Sequence, residues 1–413
     1  MLPEENMTRI TGAHRRDDTI QRLGGQGDNW YPTVGADGSL YLALCDGSGF
    51  PGMRRAYYNS RLIRAEGSPE TGVTFHDVPG YPDLSRGLRE AAPENPPTRY
   101  YGFGTLSVDG TIYQYLNTWN VPTTPENIAK GTLRFVGAKL IYSPDGGTTW
   151  HNHDGSTPVH WETWDEQSAD NQVFFHEPGE SFSLHNFLQM GRDYELNTDG
   201  YAYVYAPNGN EEGTMNQLVM FRVPKDRILD RGAYEYFVKR NDDGSATWSP
   251  DIADRGVVHT FPSGWVNVGV HPYAWQANVT YNPGLGVYMM GNWATGLDEQ
   301  KTWFGQPSYM SLLQSPTPWG PWEEFYEDDH WTPGGDENAR CYQPVIIPNW
   351  IAEDGKSFWL VWTDFQEDHE ADAVAQEKIA ANPDLSDDEL AALKSVLRPH
   401  YAFNVQKVEL TTE

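Results

Sequence analysis

The chain has 413 residues, enough for two ordinary domains or one large all-β domain, and its 16 Trp, 23 Tyr, 16 Phe, 40 Gly and 29 Pro make it aromatic and frequently turned. With 58 acidic against 29 basic residues the formal charge is −29; no basic stripe offsets it, which argues against nucleic acid and anionic membrane surfaces as partners. Two cysteines, Cys45 and Cys341, make neither a disulfide framework nor a zinc spacing and are expected as buried free thiols.

Residues 1–27 read as an N-terminal extension. They contain no apolar signal core, and no later run is long enough to span a bilayer, so the expected location is the cytoplasm, or outside the cell with a leader removed. From residue 28 to 413 the chain reads as a single domain dominated by strands. Five stretches repeat one pattern, an alternating run, a polar turn, and an aromatic-rich return ending on a polar residue: YPTVGADGSLYLALCD from Tyr31, FGTLSVDGTIYQYLNTWN from Phe103, FLQMGRDYELNTDGYAYVYAPN from Phe187, ANVTYNPGLGVYMMGNW from Ala277 and YQPVIIPNWIAEDGKSFWLVWTD from Tyr342. Recurrence of a sheet unit at such spacing predicts an all-β fold, a five-bladed β-propeller. Between the second and third copies, SPDGGTTW (143–150) has the S-x-D-x-G-x-T-W spacing of the Asp-box turn of sialidase-like propellers, with a degraded copy at 241–248. Such turns hold structure, so Asp145 and Asp243 are set apart from catalysis. Near the C-terminus, a helix-like run at 371–382 and Ser386-Asp387-Asp388-Glu389 before LAALKSVL, a capping-box pattern, predict a short helical insertion over 368–398. An alternating strand at 401–410 follows and is expected to close the ring.

In a propeller the inner strand ends converge on one mouth, so the polar residues bracketing the hairpins are the candidates. Asp28 and Asp46 flank the first hairpin. Glycoside hydrolysis needs one carboxylic acid for the leaving oxygen and a second carboxylate as nucleophile or base. Paired strands lie about 4.8 Å apart, which brings two such side chains within the separations, roughly 5–9.5 Å, that the two mechanisms use. The same two residues also fit a loop cap and a turn start. Around them, Tyr31, Trp119, Trp275 and Trp293 are stacking candidates for sugar faces, and His185, Arg192, His271, Gln276, Arg340, Tyr342 and Asp364 are candidates for holding hydroxyls. The expected partner is a carbohydrate; the sequence carries no signal for oligomeric state. No cofactor is required and no metal ligand set is read, although a structural Ca2+ fits a channel lined by acids and amides. Two other readings stay open: a polysaccharide lyase or sugar dehydratase using His, Tyr and Arg, and a non-catalytic glycan-binding propeller.

Several stretches together resemble a bacterial endo-D-arabinanase-like propeller family of glycoside hydrolases: the opening D-x-W-x-P/T…ADG-x-LY…DG-x-GF (28–50), YSPDGGTTW (142–150), FLQMGRDYELNTDGYAYVYAPN (187–208), LVMFRVPKDRILDRGAYEYF (218–237), VTYNPGLGVYMM (279–290), PTPWGPW (316–322) and PNWIAEDGKSFWLVWTD (348–364). The resemblance implies a five-bladed propeller that cleaves furanosidic, D-arabinan-like linkages with paired aspartates, which fall on Asp28 and Asp46. The chain departs from it in lacking a visible export signal and in carrying the insertion at 368–398.

Overall fold

The computed structural model describes residues 7–53, 56–89, 98–171, 175–209, 214–261, 277–296, 299–300 and 302–413. Five antiparallel sheets follow one another along the chain, and the innermost strands Asp28–Val34, Tyr100–Val108, Asn186–Phe187, Asn278–Asn282 and Cys341–Ile351 abut one another in sequence and then back to the first. The sheets therefore close into a ring of five blades, a five-bladed β-propeller. Closure leaves each sheet packed face to face between two others, which is why the inner strands read as nearly continuous buried runs and not as alternating ones.

Blade 1 continues outward through Leu40–Gly47, Ala56–Ser68 and Gly72–Asp77, and blade 2 through Thr111–Trp119, Phe135–Ser143 and His151–Asn152. Blade 3 is the largest; its innermost strand is only two residues long, so the stretch from 188 to 200 is a connection rather than a strand. Blade 5 is built from both chain ends. Its order is Cys341–Ile351, Ser357–Asp364, Asn404–Thr412 and then Ile10–Arg22. The reading of residues 1–27 as an extension is thus corrected, since Ile10–Arg22 is the blade's outer strand and the C-terminal strand lies inside it. Both thiols are buried and unpaired. No helix among the described residues is long and apolar enough to cross a membrane.

Strand direction separates the two faces of the ring. The starts of the inner strands and the ends of the second strands lie on one face, called upper here; the hairpin turns at 35–39, 109–110, 283–286 and 352–356 lie on the lower one. The insertion, with helices His369–Ala381 and Asp387–Lys394, joins two strand ends of blade 5 on the upper face. Ser386 accepts from the Glu389 N–H at 3.3 Å, and the Glu389 carboxylate accepts from the Ser386 N–H at 2.9 Å, completing the capping box that starts the second helix. Segment 143–150 turns between the two outer strands of blade 2 on the lower face. There Asp145 accepts from the Thr149 N–H and hydroxyl at 2.8 Å each and from the Ser143 hydroxyl at 2.9 Å, while Trp150 is buried beneath.

Candidate active site

Asp28 is the first residue of its strand and pairs with Cys45, so in regular pleating the next residue, Asp46, would point to the other side of the sheet. The backbone prevents this. Asp46 has φ 45°, and opposite it Asn29 and Trp30 have φ 77° and 47°, at a shift of register between Asn29 and Pro32. Left-handed backbone at three non-glycine residues costs of order 1–3 kcal/mol each, and here it turns both carboxyl groups into one cavity on the upper face. That cavity has a volume of about 220 Å³ and draws its walls from blades 1, 2, 4 and 5 and from the insertion's flanks.

The bend is held from the neighbouring blade. Gln343, itself at φ 56°, accepts from the Asn29 N–H at 2.8 Å and donates its amide to the Asn29 side chain. Asn29 in turn donates to Asp28 at 2.7 Å, and the Tyr342 hydroxyl donates to the other Asp28 oxygen at 2.8 Å. Asp46 accepts from Asn59 at 3.2 Å, and the Tyr401 hydroxyl donates to its backbone carbonyl at 3.1 Å. The two carboxyls have different surroundings. Burial first, then the charge of Asp46, pushes Asp28 up to about 8, against the lowering effect of the Tyr342 hydrogen bond and of the nearby Tyr401 hydroxyl. Burial also raises Asp46, but Arg99, Asn59, Arg86 and Tyr101 all act to keep it ionised. Burial and mutual repulsion favour a proton shared by the pair, and the arginines and donors around Asp46 favour Asp28 as its holder.

Trp119, Trp293 and Tyr342 line the cavity with the two aspartates. The other candidates fall elsewhere. Tyr31 is buried in the apolar core between blades 1 and 5. His185 is fully buried against Tyr115 and Phe175, its ring centroid 4.5 Å and 4.6 Å from theirs, and burial drives its pKa well below the usual value. Arg192 lies on the lower face, where its guanidinium donates to the Ala36 carbonyl. Arg340 donates to the carbonyls of Phe304, Glu337 and Ala339 and faces an adjoining groove. Asp364 is fully buried, accepting from the N–H groups of Arg340 and Gln366 at 2.8 and 3.1 Å. His271, Trp275 and Gln276 lie outside the described residues. Among the described residues no three His, Cys, Asp or Glu side chains group to hold a metal ion, so the Ca2+ expectation has no ligand set there.

Sequence reading missed Tyr57, Tyr101, Trp303, Phe304, Arg398 and Tyr401 on the cavity wall. Tyr101 and Tyr401 had a usable signal, because each sits where a strand of its blade begins on the upper face, as Tyr342 does. Trp303 and Arg398 come from connections and had none.

No protein-family model matches the chain, and no curated protein does. Among solved structures, an alpha-L-arabinofuranosidase from Lactobacillus brevis is similar over 95% of this chain and 94% of its own, with 14% identity and a TM-score of 0.45. The Bacteroides ovatus xyloglucan PUL GH43B is similar over 84% of this chain, with 13% identity and a TM-score of 0.43, and the chain spans 51% of its length. A PL25 polysaccharide lyase, an ulvan lyase, is similar over 81% of this chain and 60% of its own, with 12% identity and a TM-score of 0.38. At such identities and scores the likeness says nothing about the reaction.

Proposed function

We propose that the chain is a glycoside hydrolase acting on a furanoside-containing, arabinan-like glycan, with Asp28 as general acid and Asp46 as nucleophile or base. The observation that supports it most is one cavity holding two buried carboxyls in unlike surroundings: burial raises both, Asp28 to about 8, while at Asp46 nearby arginines and hydrogen-bond donors oppose the rise. In the proposed reaction Asp28 gives its proton to the glycosidic oxygen as the bond to the anomeric carbon breaks. The Asp46 carboxylate either bonds to that carbon or takes a proton from the water that does. Trp119 and Trp293 offer flat apolar surface for the sugar rings. The furanoside preference rests on the sequence resemblance.

The lyase alternative needs a base able to remove a carbon-bound proton. No histidine among the described residues lines the cavity, and burial beside the two aspartates raises the pKa of Tyr342, Tyr401 and Tyr57, so each holds its proton at neutral pH. The test is incubation with arabinan, arabinogalactan and uronate glycans, reading reducing ends and ultraviolet absorbance together. Reducing ends without absorbance are expected, and Asp28→Asn and Asp46→Asn should each lose about 10²–10⁴-fold in kcat/KM with an unchanged circular dichroism spectrum. New absorbance, or full turnover by either variant, would overturn the assignment.

A further inference from the structure

Cations are outnumbered two to one in this chain, yet several converge beside the acid pair. A groove of about 340 Å³ opens from the cavity between blade 1 and the helical insertion, sharing Asp46, Tyr57, Arg398 and Tyr401 with it. Arg86, Lys394 and Arg398 line this groove, facing two carboxylates, Asp46 and Asp372.

Arg398 has a partner, since it pairs with Glu367 at 2.7 Å and stacks over Phe365 at 3.8 Å. Arg86 and Lys394 differ. The Arg86 guanidinium lies over the Tyr57 ring at 4.9 Å and forms no ion pair among the described residues. The Lys394 ammonium, on the last turn of its helix, donates to the Leu88 carbonyl and likewise has no carboxylate partner there. Burial and the charges of Arg86 and Arg89 lower the Lys394 pKa, so like charges crowd the site. Half-buried cations set side by side without a direct ion-pair partner cost free energy that a bound anion would offset. Keeping Asp46 ionised accounts for Arg86, which acts on it. It does not account for Lys394.

We propose that this groove is a subsite for an anionic group of the glycan, a uronate carboxylate or a sulfate ester, placed beside the sugar whose bond is cut. The placement rests on the aspartate-pair reading, whereas the binding itself does not. An anion entering the groove meets Arg86, which presents a planar fork, and Lys394, which presents a point charge. Tyr57, shared by groove and cavity, supplies an apolar ring face between the two.

The experiment is calorimetric titration of the full chain with glucuronic acid, glucose 6-sulfate and glucose at low salt. At least one acidic sugar is expected to bind 10-fold or more tighter than glucose, and which of the two does so distinguishes carboxylate from sulfate. Arg86→Gln and Lys394→Gln should each reduce that preference about fivefold or more, Arg86→Lys should retain part of it, and rising salt should weaken it. Circular dichroism checks that each variant folds, and the preference of the unaltered protein needs no variant. Equal binding of glucose and both acidic sugars, or a preference untouched by either Gln variant, overturns the subsite. Hydrolysis confined to neutral glycans, without tighter acidic-sugar binding, also overturns it and leaves the aspartate pair standing. Acidic-sugar binding without hydrolysis of any glycan supports the subsite and removes the aspartate pair.

Discussion

Tyr342 bears on Asp28 through one hydroxyl at 2.8 Å, and the direction of its effect is fixed by chemistry: a donor stabilises the ionised carboxylate and so lowers its pKa. Removing the donor with Tyr342→Phe raises Asp28 further above its value of about 8. If Asp28 is the acid, activity is lost as pH rises through that pKa, so the basic limb of the kcat/KM profile should move to higher pH. A hydrogen bond to a charged group is worth about 1.5–3 kcal/mol, or roughly one to two pH units. A limb that stays put or moves down would refute the assignment of the proton. At this scale the nearness of Asp28 and Asp46 was legible because a hairpin brings its two ends side by side. The left-handed backbone at Asn29, Trp30 and Asp46 that turns both into one cavity, held by Gln343 of the neighbouring blade, left no trace in the pattern. Arg192 was misplaced for a related reason: with an inner strand of two residues, the connection after it reads as strand, and a lower-face residue is counted as a hairpin end. His185 could not be told from a site histidine, since only the packing of Tyr115 and Phe175 on its ring removes it from the cavity.

Single elements carry their own tests, and blade 2 holds the sharpest. Lys139 and Glu162 are both fully buried, with the ammonium 2.9 and 3.0 Å from the two carboxylate oxygens. The Tyr100 hydroxyl donates to the same carboxylate, tying the connection after the blade's last strand to its inner and third strands. Burial lowers the Lys139 pKa while Glu162 supports its charge. Breaking such a pair leaves one charge uncompensated, so Glu162→Gln should cost about 3–5 kcal/mol in urea unfolding, while the double variant Lys139→Met, Glu162→Leu should recover most of it. Equal losses in both proteins would mean the packing around Tyr100 matters and the charge does not. Strand hairpins and the Ser386 capping box were legible from sequence, since turn and cap residues act over three or four positions. The Lys139–Glu162 pair joins residues 23 apart through tertiary packing, and local pattern carries no trace of it.

Ring closure belongs to the whole molecule, and it explains the largest misreading. Ile10–Arg22 is an outer strand in which only Ile10 is buried, so its sequence, ITGAHRRDDTIQR, has no apolar alternation by which to recognise it. Its evidence lies almost 400 residues away, in the register Ile10↔Thr412 to Arg22↔Asn404. Besides covering the edge of Asn404–Thr412, this strand spans two blades: the Ile10 N–H donates to Gln314 at 2.8 Å, the Gln314 amide donates back to the Ile10 carbonyl at 2.6 Å, and Arg15 donates to Tyr326 at 2.9 Å and pairs with Asp328. A chain lacking residues 1–22 would lose these links and expose an edge strand bearing Val405, Val408 and Leu410, an open template for association. Deletion is therefore expected to lower the urea midpoint by the equivalent of at least about 3 kcal/mol, each lost buried hydrogen bond contributing about 1 kcal/mol beyond the buried apolar area, and to produce oligomers in size-exclusion chromatography. The cavity walls come from other strands, so the folded fraction should keep its KM. An unchanged midpoint would mean that the inner strands close the ring unaided, with the N-terminal strand only lying against it.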